Sequence, residues 1–253
     1  MQYTRENILG VEVSAIHMQQ AIQQIIAWVE QHVSAYVCVT PAHAVMDCVA
    51  NPEIKRIYNQ SGMTTPDGMA IVWLLKLAGH KQVSRVYGPD LLQTLCGKSI
   101  AKPLRHYFLG GAPGVAAEMV KRLKENNPAL QVAGIDAPPF RELSPAEEEQ
   151  MIDKIQQSAP DILWVGLGSP RQEQWMAAQT SRMNMVMIGV GAAFDFLSGN
   201  KPQAPRWVRR MGMEWFYRLL SEPGRLWRRY IQYPRFVWLV LLQKLGLRKF
   251  SVQ

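Results

Sequence analysis

"RHYFLGGAPGVAAEMVKRLKENN", residues 105–127, is the stretch that predicts the fold. Residues 105–110 are an apolar run typical of a buried strand, and residues 114–127 carry apolar side chains at helical spacing. In the glycine-rich turn between them, backbone N–H groups and the start of the helix can face an anion without side-chain obstruction. A strand, such a turn and a helix together predict one βα unit of an α/β protein.

The same alternation continues on both sides of this unit. Helical patterns separate the other apolar runs, and one of them, residues 144–159, begins with Ser144 and Glu147 at the spacing of a capping box. This order predicts an α/β fold, a Rossmann-like parallel sheet with helices on both faces. The other predicted strands are residues 35–40, 131–136, 161–168 and 185–191.

Length and composition fit a globular α/β domain, alone or with an appendage. The chain has 253 residues, of which 48% are hydrophobic and 19% charged, so we expect a full core. Three cysteines without a CxxC pair argue against a disulfide framework or a zinc site. The N-terminus lacks a signal pattern, and the apolar run 236–242 is far shorter than a spanning helix. These features predict a cytoplasmic protein.

Charge divides the chain near Asn200. Residues 201–253 hold 12 Lys and Arg against 2 Asp and Glu, a net charge of +10. Residues 1–200 hold 16 basic against 18 acidic side chains, a net charge of −2. Glycine and two prolines in "SGNKPQAP" mark the boundary. We predict an α/β core over residues 1–200 and a basic, aromatic C-terminal helical appendage over residues 201–253.

The appendage combines arginines with aromatic residues typical of membrane interfaces. Arg218, Arg225 and Arg228 are spaced 7 and 3 residues apart, close to one helical face if Pro223 merely begins a new turn. Arginine forks bind phosphate oxygens, and the pattern predicts helices that lie on an anionic membrane. The alternative is a solvated basic helix that packs its aromatics on the core. Nucleic acid is not expected as a partner, because recognition helices rarely carry so many tryptophans and leucines.

Ligands of a parallel sheet bind beyond the carboxyl ends of its strands, so the loops at these ends are the candidate sites. Gly110 and Gly111 open the glycine-rich turn, and Gln172 and Glu173 lie at the start of the helix in "GSPRQEQW". Asp67, in "TPDG", could act as a general base if it faced a cleft. Each has a plainer alternative: a tight turn, helix capping or turn formation.

Nothing in the sequence predicts a cofactor or a bound metal. "GGAPG" is not followed by the GK[ST] of a Walker A loop, and no GxG pair is completed by the third glycine of a dinucleotide site. There is no D-x-D pair, and the five histidines show no metal spacing. His43, after a strand, is a candidate contact, with a structural histidine as the alternative. A diphosphate substrate would therefore need cationic side chains.

Six motifs, read in order, resemble one bacterial enzyme family, the WecG/TagA/CpsF glycosyltransferases (glycosyltransferase family 26), over about residues 10–230. They are "TPDGMAIVW", "RVYGPDLL", "FLGGAPGVA", "GLGSPRQEQW", "GVGAAFDFLSGNKPQAPRW" and "GMEWFYRLLSEPGRLWRRY". The resemblance implies transfer of a sugar from a UDP donor to a polyprenyl-diphosphate-linked sugar, with inversion, without a metal, at the inner face of the membrane. The best-known members transfer N-acetylmannosamine or its uronic acid, and others use glucose-type donors.

The resemblance also implies a role for each loop. Asp67 matches the proposed general base, and Thr40 matches a strand-end residue near the reaction centre. Gln172 and Glu173 match a helix mouth that binds the sugar or the nucleotide. The arginines thought to close over the site and neutralise the diphosphate are matched by Arg218, Arg225 and Arg228.

One departure from the family concerns the segment Thr40-Pro41-Ala42-His43, where many members carry an asparagine. It bears on the donor sugar and makes His43 a candidate substitute contact. N-acetylmannosamine is the first donor predicted, and a glucosyl- or glucuronosyltransferase of the same family is the alternative. A non-catalytic module that binds lipid-linked sugars is the alternative of another class. The sequence leaves a homo-oligomer open.

Overall fold

Strands and helices alternate along most of the chain. The computed structural model describes residues 3–97 and 103–252, without the side chains of Arg206, Arg210, Arg225, Arg228 and Arg229. The strands are β1 (Arg5–Ile8), β2 (Val11–Ser14), β3 (Ala35–Thr40), β4 (Met63–Pro66), β5 (Arg105–Gly110), β6 (Gln131–Asp136), β7 (Ile162–Gly166) and β8 (Val186–Gly189). The helices are α1 (Met18–Glu30), α2 (Ala42–Ala50), α3 (Pro52–Gln60), α4 (Met69–Leu77), α5 (Gly88–Gly97), α6 (Val115–Asn126), α7 (Pro145–Gln157), α8 (Arg171–Gln179), α9 (Ala193–Leu197), α10 (Arg206–Arg210), α11 (Glu214–Ser221), α12 (Pro223–Tyr230) and α13 (Tyr233–Lys244).

The strands form one main sheet and one hairpin. Within the described residues, six strands lie in the order β4-β3-β8-β7-β5-β6, and β1 pairs with β2 as an antiparallel hairpin. Strand β5 pairs in parallel with β6 and β7, and β7 pairs in parallel with β8. The predicted fold class, a Rossmann-like parallel sheet flanked by helices, is confirmed.

Several predicted elements agree with the structure to the residue. Strands β3, β5 and β6 have the predicted bounds, and the capping box of α7 is present. In that box the backbone N–H of Ser144 donates to Glu147 Oε2 at 2.8 Å. Strands β7 and β8 end earlier than predicted, because the glycines at 168 and 191 turn the chain with φ of +83° and +53°.

The chain divides into two compact units. The first consists of Met1–Ala21, Cys38–Tyr87 and Gln203–Gln253, and the second of Ile22–Val37 and Gly88–Pro202. The last segment of the first unit begins near the boundary that composition predicts. The functional division into a core and an appendage stays a prediction.

The second unit has an aromatic core built on β5 and β7. Phe108 and Trp164 are fully buried, and Phe194 meets the Phe108 ring edge-on at 6.1 Å between centroids. The Trp164 indole N–H donates to His106 Nδ1 at 3.1 Å. Burial lowers the pKa of His106 to about 4. This histidine is therefore a neutral core residue.

In the first unit the C-terminal helices pack by one face. Helix α13 buries Phe236, Leu239 and Val240, and Gln243 fixes its end to the hairpin. The Gln243 carboxamide accepts from the backbone N–H of Leu9 at 3.0 Å and donates to a backbone carbonyl of β1 at 3.1 Å. The basic C-terminus is therefore attached to the N-terminus of the same unit.

The chain leaves helical geometry between α11 and α12. Glu222 has a φ of −137°, and Pro223 opens the new helix. Arg218 therefore lies on α11, whereas Arg225 and Arg228 lie on α12. The continuous helical face expected for the three arginines is interrupted at this point.

Candidate functional site

The first unit contains a cavity of about 650 Å³. It lies where β3 and β4 end, and helices α4, α11, α12 and α13 supply its other walls. Polar side chains, among them Asp67, Arg85 and Glu214, line one part of it. Apolar and aromatic side chains line the rest. The cavity therefore offers charge and apolar surface to one ligand.

Asp67 enters this cavity from the turn between β4 and α4. Strand β4 ends at Pro66, and the backbone N–H of Asp67 donates to the carbonyl of Thr40 at the end of β3, at 3.3 Å. Gly68 has a φ of +82°, a left-handed conformation that glycine adopts without strain, and α4 begins one residue later. The turn predicted from "TPDG" is thus present, and it directs Asp67 to a cavity at the strand ends.

Arg85 connects Asp67 to the C-terminal helices. Its Nε donates to Asp67 Oδ1 at 2.9 Å, and its Nη1 lies 2.7 Å from Glu214 Oε2 on α11. The guanidinium also lies over the Tyr87 ring, 4.0 Å from the centroid. The three charged side chains are only 9–17% exposed. One cation is therefore shared by two carboxylates in a largely desolvated place.

Sequence reasoning gave no role to Arg85, Tyr87 or Glu214. The residues belong to "RVYGPDLL" and "GMEWFYR", two of the motifs that carry the family resemblance. Their place in these two motifs was the available signal. It did not reveal the pairing, because the two motifs are far apart in the chain.

Burial raises the pKa of Asp67 above the usual 3.8 of an aspartate. Arg85 opposes this shift of the Asp67 pKa, Glu214 adds to it through repulsion, and Arg218 opposes it more weakly. Burial also raises the pKa values of Tyr87 and Tyr233, which stay neutral phenols near pH 7. A carboxylate with a raised pKa binds a proton more readily, which suits a general base.

The structure brings three of the predicted site residues to this cavity: Asp67, His43 and Arg218. Thr40 is fully buried at the adjacent strand end, and its hydroxyl donates to the carbonyl of Cys38 at 2.9 Å. The side chains of Arg225 and Arg228 lie outside the described residues.

Two predicted residues, Gly110 and Gly111, close the carboxyl ends of β5 and β7 in the second unit. Gly110 has a φ of +125°, and a Cβ on this residue would lie 2.5 Å from the backbone of Gly166. Gly111 has a φ of +75° and donates its N–H to the carbonyl of Gly166 at 3.2 Å. Glycine is required at Gly110 by this close approach.

Gln172 and Glu173, also in the second unit, begin α8 as predicted and are buried, with 3% and 0% of their surface exposed. Gln172 Nε2 donates to Glu173 Oε1 at 2.8 Å, and Gln172 Oε1 accepts from the N–H of Gly191 at 3.1 Å. These bonds connect the start of α8 to the loop after β8. A contact of this pair with a sugar or nucleotide stays a prediction.

Two features of the described part of the chain bear on partners. No group of three or more His, Cys, Asp or Glu side chains there is arranged to hold a metal ion. None of its helices has both the length and the apolarity needed to cross a bilayer.

The comparisons with known proteins agree with one another. A family model described as "Glycosyl transferase WecG/TagA/CpsF family" matches residues 6–250. A protein of Bacillus spizizenii (strain ATCC 23059 / NRRL B-14472 / W23) is 32% identical over 215 residues, which cover 85% of this chain and 81% of the relative. A protein of Bacillus subtilis (strain 168) is 26% identical over 224 residues, which cover 88% of this chain and 85% of the relative. Both are named N-acetylglucosaminyldiphosphoundecaprenol N-acetyl-beta-D-mannosaminyltransferase.

The fold, the buried carboxylate in a cavity and these matches define an enzyme of the glycosyl transferase class. The chain belongs to the WecG/TagA/CpsF family, because the family model covers nearly its whole length. The resemblance read from the six motifs is confirmed.

Proposed function

We propose that this enzyme transfers N-acetylmannosamine from a UDP-sugar to an N-acetylglucosaminyl-diphosphate-polyprenol, with inversion at the anomeric carbon. The names of the two relatives support this choice of transferred sugar and acceptor. The single observation that carries the mechanism is the Asp67 carboxylate, desolvated and paired with Arg85 at one wall of the 650 Å³ cavity.

Asp67 is the proposed general base. Its carboxylate takes the proton of the acceptor hydroxyl, and the oxygen attacks the anomeric carbon of the donor. The bond between that carbon and the phosphate oxygen breaks as the new glycosidic bond forms, and UDP leaves with the electron pair. Deprotonation by a positioned carboxylate contributes about 10²–10⁴-fold to such a step.

Cationic side chains are proposed to neutralise the diphosphates. Arg218 lines the same cavity as Asp67, and α12 carries Arg225 and Arg228 one helix further along the chain. Arginine binds phosphate oxygens through two parallel hydrogen bonds and needs no metal. The enzyme is therefore proposed to work without a divalent ion.

The donor is proposed to use the loops at the strand ends. Gly110 and Gly111 open a turn without side chains, through which a phosphate can approach the start of α6, while Gln172 and Glu173 shape the start of α8. Near Asp67, His43 is proposed to contact the donor sugar. Thr40, which is fully buried, is proposed to support the site through its carbonyl, which accepts from the Asp67 N–H.

The appendage, residues 201–253, is proposed to hold the enzyme at the inner face of the cell membrane, where a polyprenyl-linked acceptor resides. Its net charge of +10 supports this, because each basic residue near an anionic surface contributes about 1 kcal/mol of attraction. Exposed aromatic and aliphatic side chains on α12 and α13, such as Trp227 and Trp238, support seating in the interface.

A donor panel tests the proposal. UDP-N-acetylmannosamine, UDP-N-acetylmannosaminuronic acid, UDP-glucose, UDP-glucuronic acid and UDP-N-acetylglucosamine are each offered with a short-chain N-acetylglucosaminyl-diphosphate-lipid and a glucose-started equivalent. UDP release and product mass are both measured, with and without EDTA. We expect product from UDP-N-acetylmannosamine, unchanged by EDTA. Product from a glucose-type donor alone would assign the alternative within the family, and loss of product with EDTA would refute the metal-free mechanism.

A further inference from the structure

Helix α4, which follows Asp67 directly, is apolar on all sides. Eight of its nine residues, "MAIVWLLKL", are apolar, with Lys76 as the exception. Ile71, Val72 and Leu75 are buried, but Trp73 and Leu77 are 52% and 80% exposed. Trp73 and Leu77 are four residues apart and therefore share one face of the helix. Core packing explains the buried face of α4 and leaves this outer face unexplained.

The exposed face of α4 continues into the wall of the cavity. Trp73 lines the cavity together with Trp227, Ile231 and Val237 from α12, α13 and the turn between them. All four side chains are also 52–58% exposed, so they form an apolar rim where the cavity opens to the surface. The cavity therefore has a charged end at Asp67 and an apolar opening.

A glycine fixes one side of this rim. Gly212, in the turn before α11, has a φ of +74°, and a Cβ there would lie 2.8 Å from Met69 Cβ and 3.3 Å from the Trp73 ring. The turn therefore packs directly on α4. This contact holds α4 beside the helix that carries Glu214 and Arg218.

We infer that the apolar rim formed by Trp73, Trp227, Ile231 and Val237 receives the polyprenyl chain of the acceptor. This inference rests on the proposed function. The acceptor joins a sugar, a charged diphosphate and an apolar chain, and its reacting hydroxyl must reach Asp67. The diphosphate needs the cations of the charged end, and the first isoprene units then leave over an apolar surface. The rim, continued along α4 by Leu77, is an exposed apolar surface of the same cavity that Asp67 lines.

Two water-soluble acceptors test the inference without any membrane. Both carry N-acetylglucosaminyl diphosphate, one as the methyl ester and one as the farnesyl ester, and kcat/KM is measured for each with the same donor. We expect the wild type to prefer the farnesyl acceptor by at least about tenfold, because three isoprene units bury apolar surface on the rim. The Trp73→Ser variant should reduce this preference to less than about threefold and leave the donor KM unchanged.

Trp238→Ser is the matched control. Trp238 lies on α13 next to the rim residue Val237 and is 60% exposed, but it does not line the cavity, so this variant should keep the wild-type preference. Trp73→Phe should restore most of the preference lost in Trp73→Ser, and circular dichroism of each variant checks that it is folded.

Three outcomes overturn the inference. The first is a wild type with equal kcat/KM for the farnesyl and methyl acceptors. The second is an equal loss of the farnesyl preference in Trp73→Ser and Trp238→Ser. The third is a Trp73→Ser variant that binds vesicles more weakly but keeps the farnesyl preference. The last result would assign Trp73 to the bilayer rather than to the acceptor chain. A wild type that glycosylates neither acceptor with any donor refutes the proposed function itself, and the inference with it.

Discussion

Arg85 Nη1 lies 2.7 Å from Glu214 Oε2, and Arg85 Nε donates to Asp67 at 2.9 Å. The guanidinium therefore joins the proposed base, which follows β4, to a carboxylate of α11 near the C-terminus. A cation held by Asp67 alone would lower the basicity of that carboxylate. Glu214 shares the Arg85 cation and repels Asp67, so a residue of the C-terminal helices raises the pKa of the proposed base.

Asp67→Asn should abolish most of the transfer and preserve binding. The amide keeps the size of the side chain but cannot take a proton, so kcat should fall by about 10²–10⁴-fold. Single-turnover transfer and donor binding by calorimetry separate the two effects. Asp90→Asn, at the start of α5 in the second unit, is the control and should keep full activity. Turnover within threefold of the wild type for Asp67→Asn would remove Asp67 from the reaction.

Glu214→Gln should move the acid limb of the pH profile of kcat/KM to lower pH. The base works only when ionised, so activity falls as the pH drops through the Asp67 pKa, which burial has raised. Arg85, Glu214, Arg218, Tyr87 and Tyr233 are the charged or titratable groups coupled to Asp67. Loss of the Glu214 charge removes a repulsion that raises the Asp67 pKa.

The control for this profile is Glu30→Gln, a change of the same type at an exposed end of α1. Its acid limb should coincide with that of the wild type. A shift of the Glu214→Gln limb to higher pH, or no shift, would contradict the coupling between Glu214 and Asp67.

Alanine substitution of two neighbouring residues of α12 should have different effects, on stability for one and on activity for the other. Leu226 is 1% exposed, so Leu226→Ala should lower the free energy of unfolding by about 2–4 kcal/mol. Trp227 is 58% exposed, and Trp227→Ala should change the free energy of unfolding by less than about 0.5 kcal/mol while it reduces activity on lipid acceptors. Denaturant unfolding and lipid-acceptor assays of both variants check this. Equal destabilisation would show that α12 packs in another orientation.

Gly110→Ala should destabilise the protein by about 2–4 kcal/mol, because the new methyl group would meet the Gly166 backbone at 2.5 Å and the φ of +125° is strained for alanine. Gly97→Ala, at the end of α5 in the same unit, meets nothing within 4 Å and should be neutral or slightly stabilising. Thermal unfolding of the pair measures the difference. A Gly110→Ala protein as stable as the wild type would mean that Gly110 of β5 and Gly166 of β7 do not approach each other this closely.

Binding to anionic vesicles should be strong at low salt and lost at high salt. The net charge of +10 in residues 201–253 provides the attraction, and ions screen it at distances beyond about 3 Å in 1 M salt. Co-sedimentation with phosphatidylglycerol vesicles over a salt series measures the release, with phosphatidylcholine vesicles as the neutral control. Protein that stays in the supernatant with anionic vesicles at low salt would refute the proposed membrane contact.

Local patterns were sufficient for most of the sheet. The runs at residues 35–40 and 105–110 form buried strands, and the run at residues 131–136 forms a half-buried strand at the edge of the sheet. Short apolar segments next to turn residues have few other stable arrangements. The capping box of α7 and the turn at Asp67 are likewise formed by residues adjacent in sequence. The short hairpin of β1 and β2 was not predicted, because four-residue strands carry too little pattern.

The sequence by itself determined the fold class, the charged C-terminus and, through its motifs, the enzyme family. It also indicated Asp67, through its place in a turn before an apolar helix and in a motif of the family. Only the tertiary structure decided that Arg85 and Glu214 form an ion pair, that Gln172 and Glu173 are buried against each other, and that Trp73 belongs to the cavity rim. The physical reason is that these contacts join segments whose spacing along the chain carries no signal, and burial and charge pairing appear only when the segments pack.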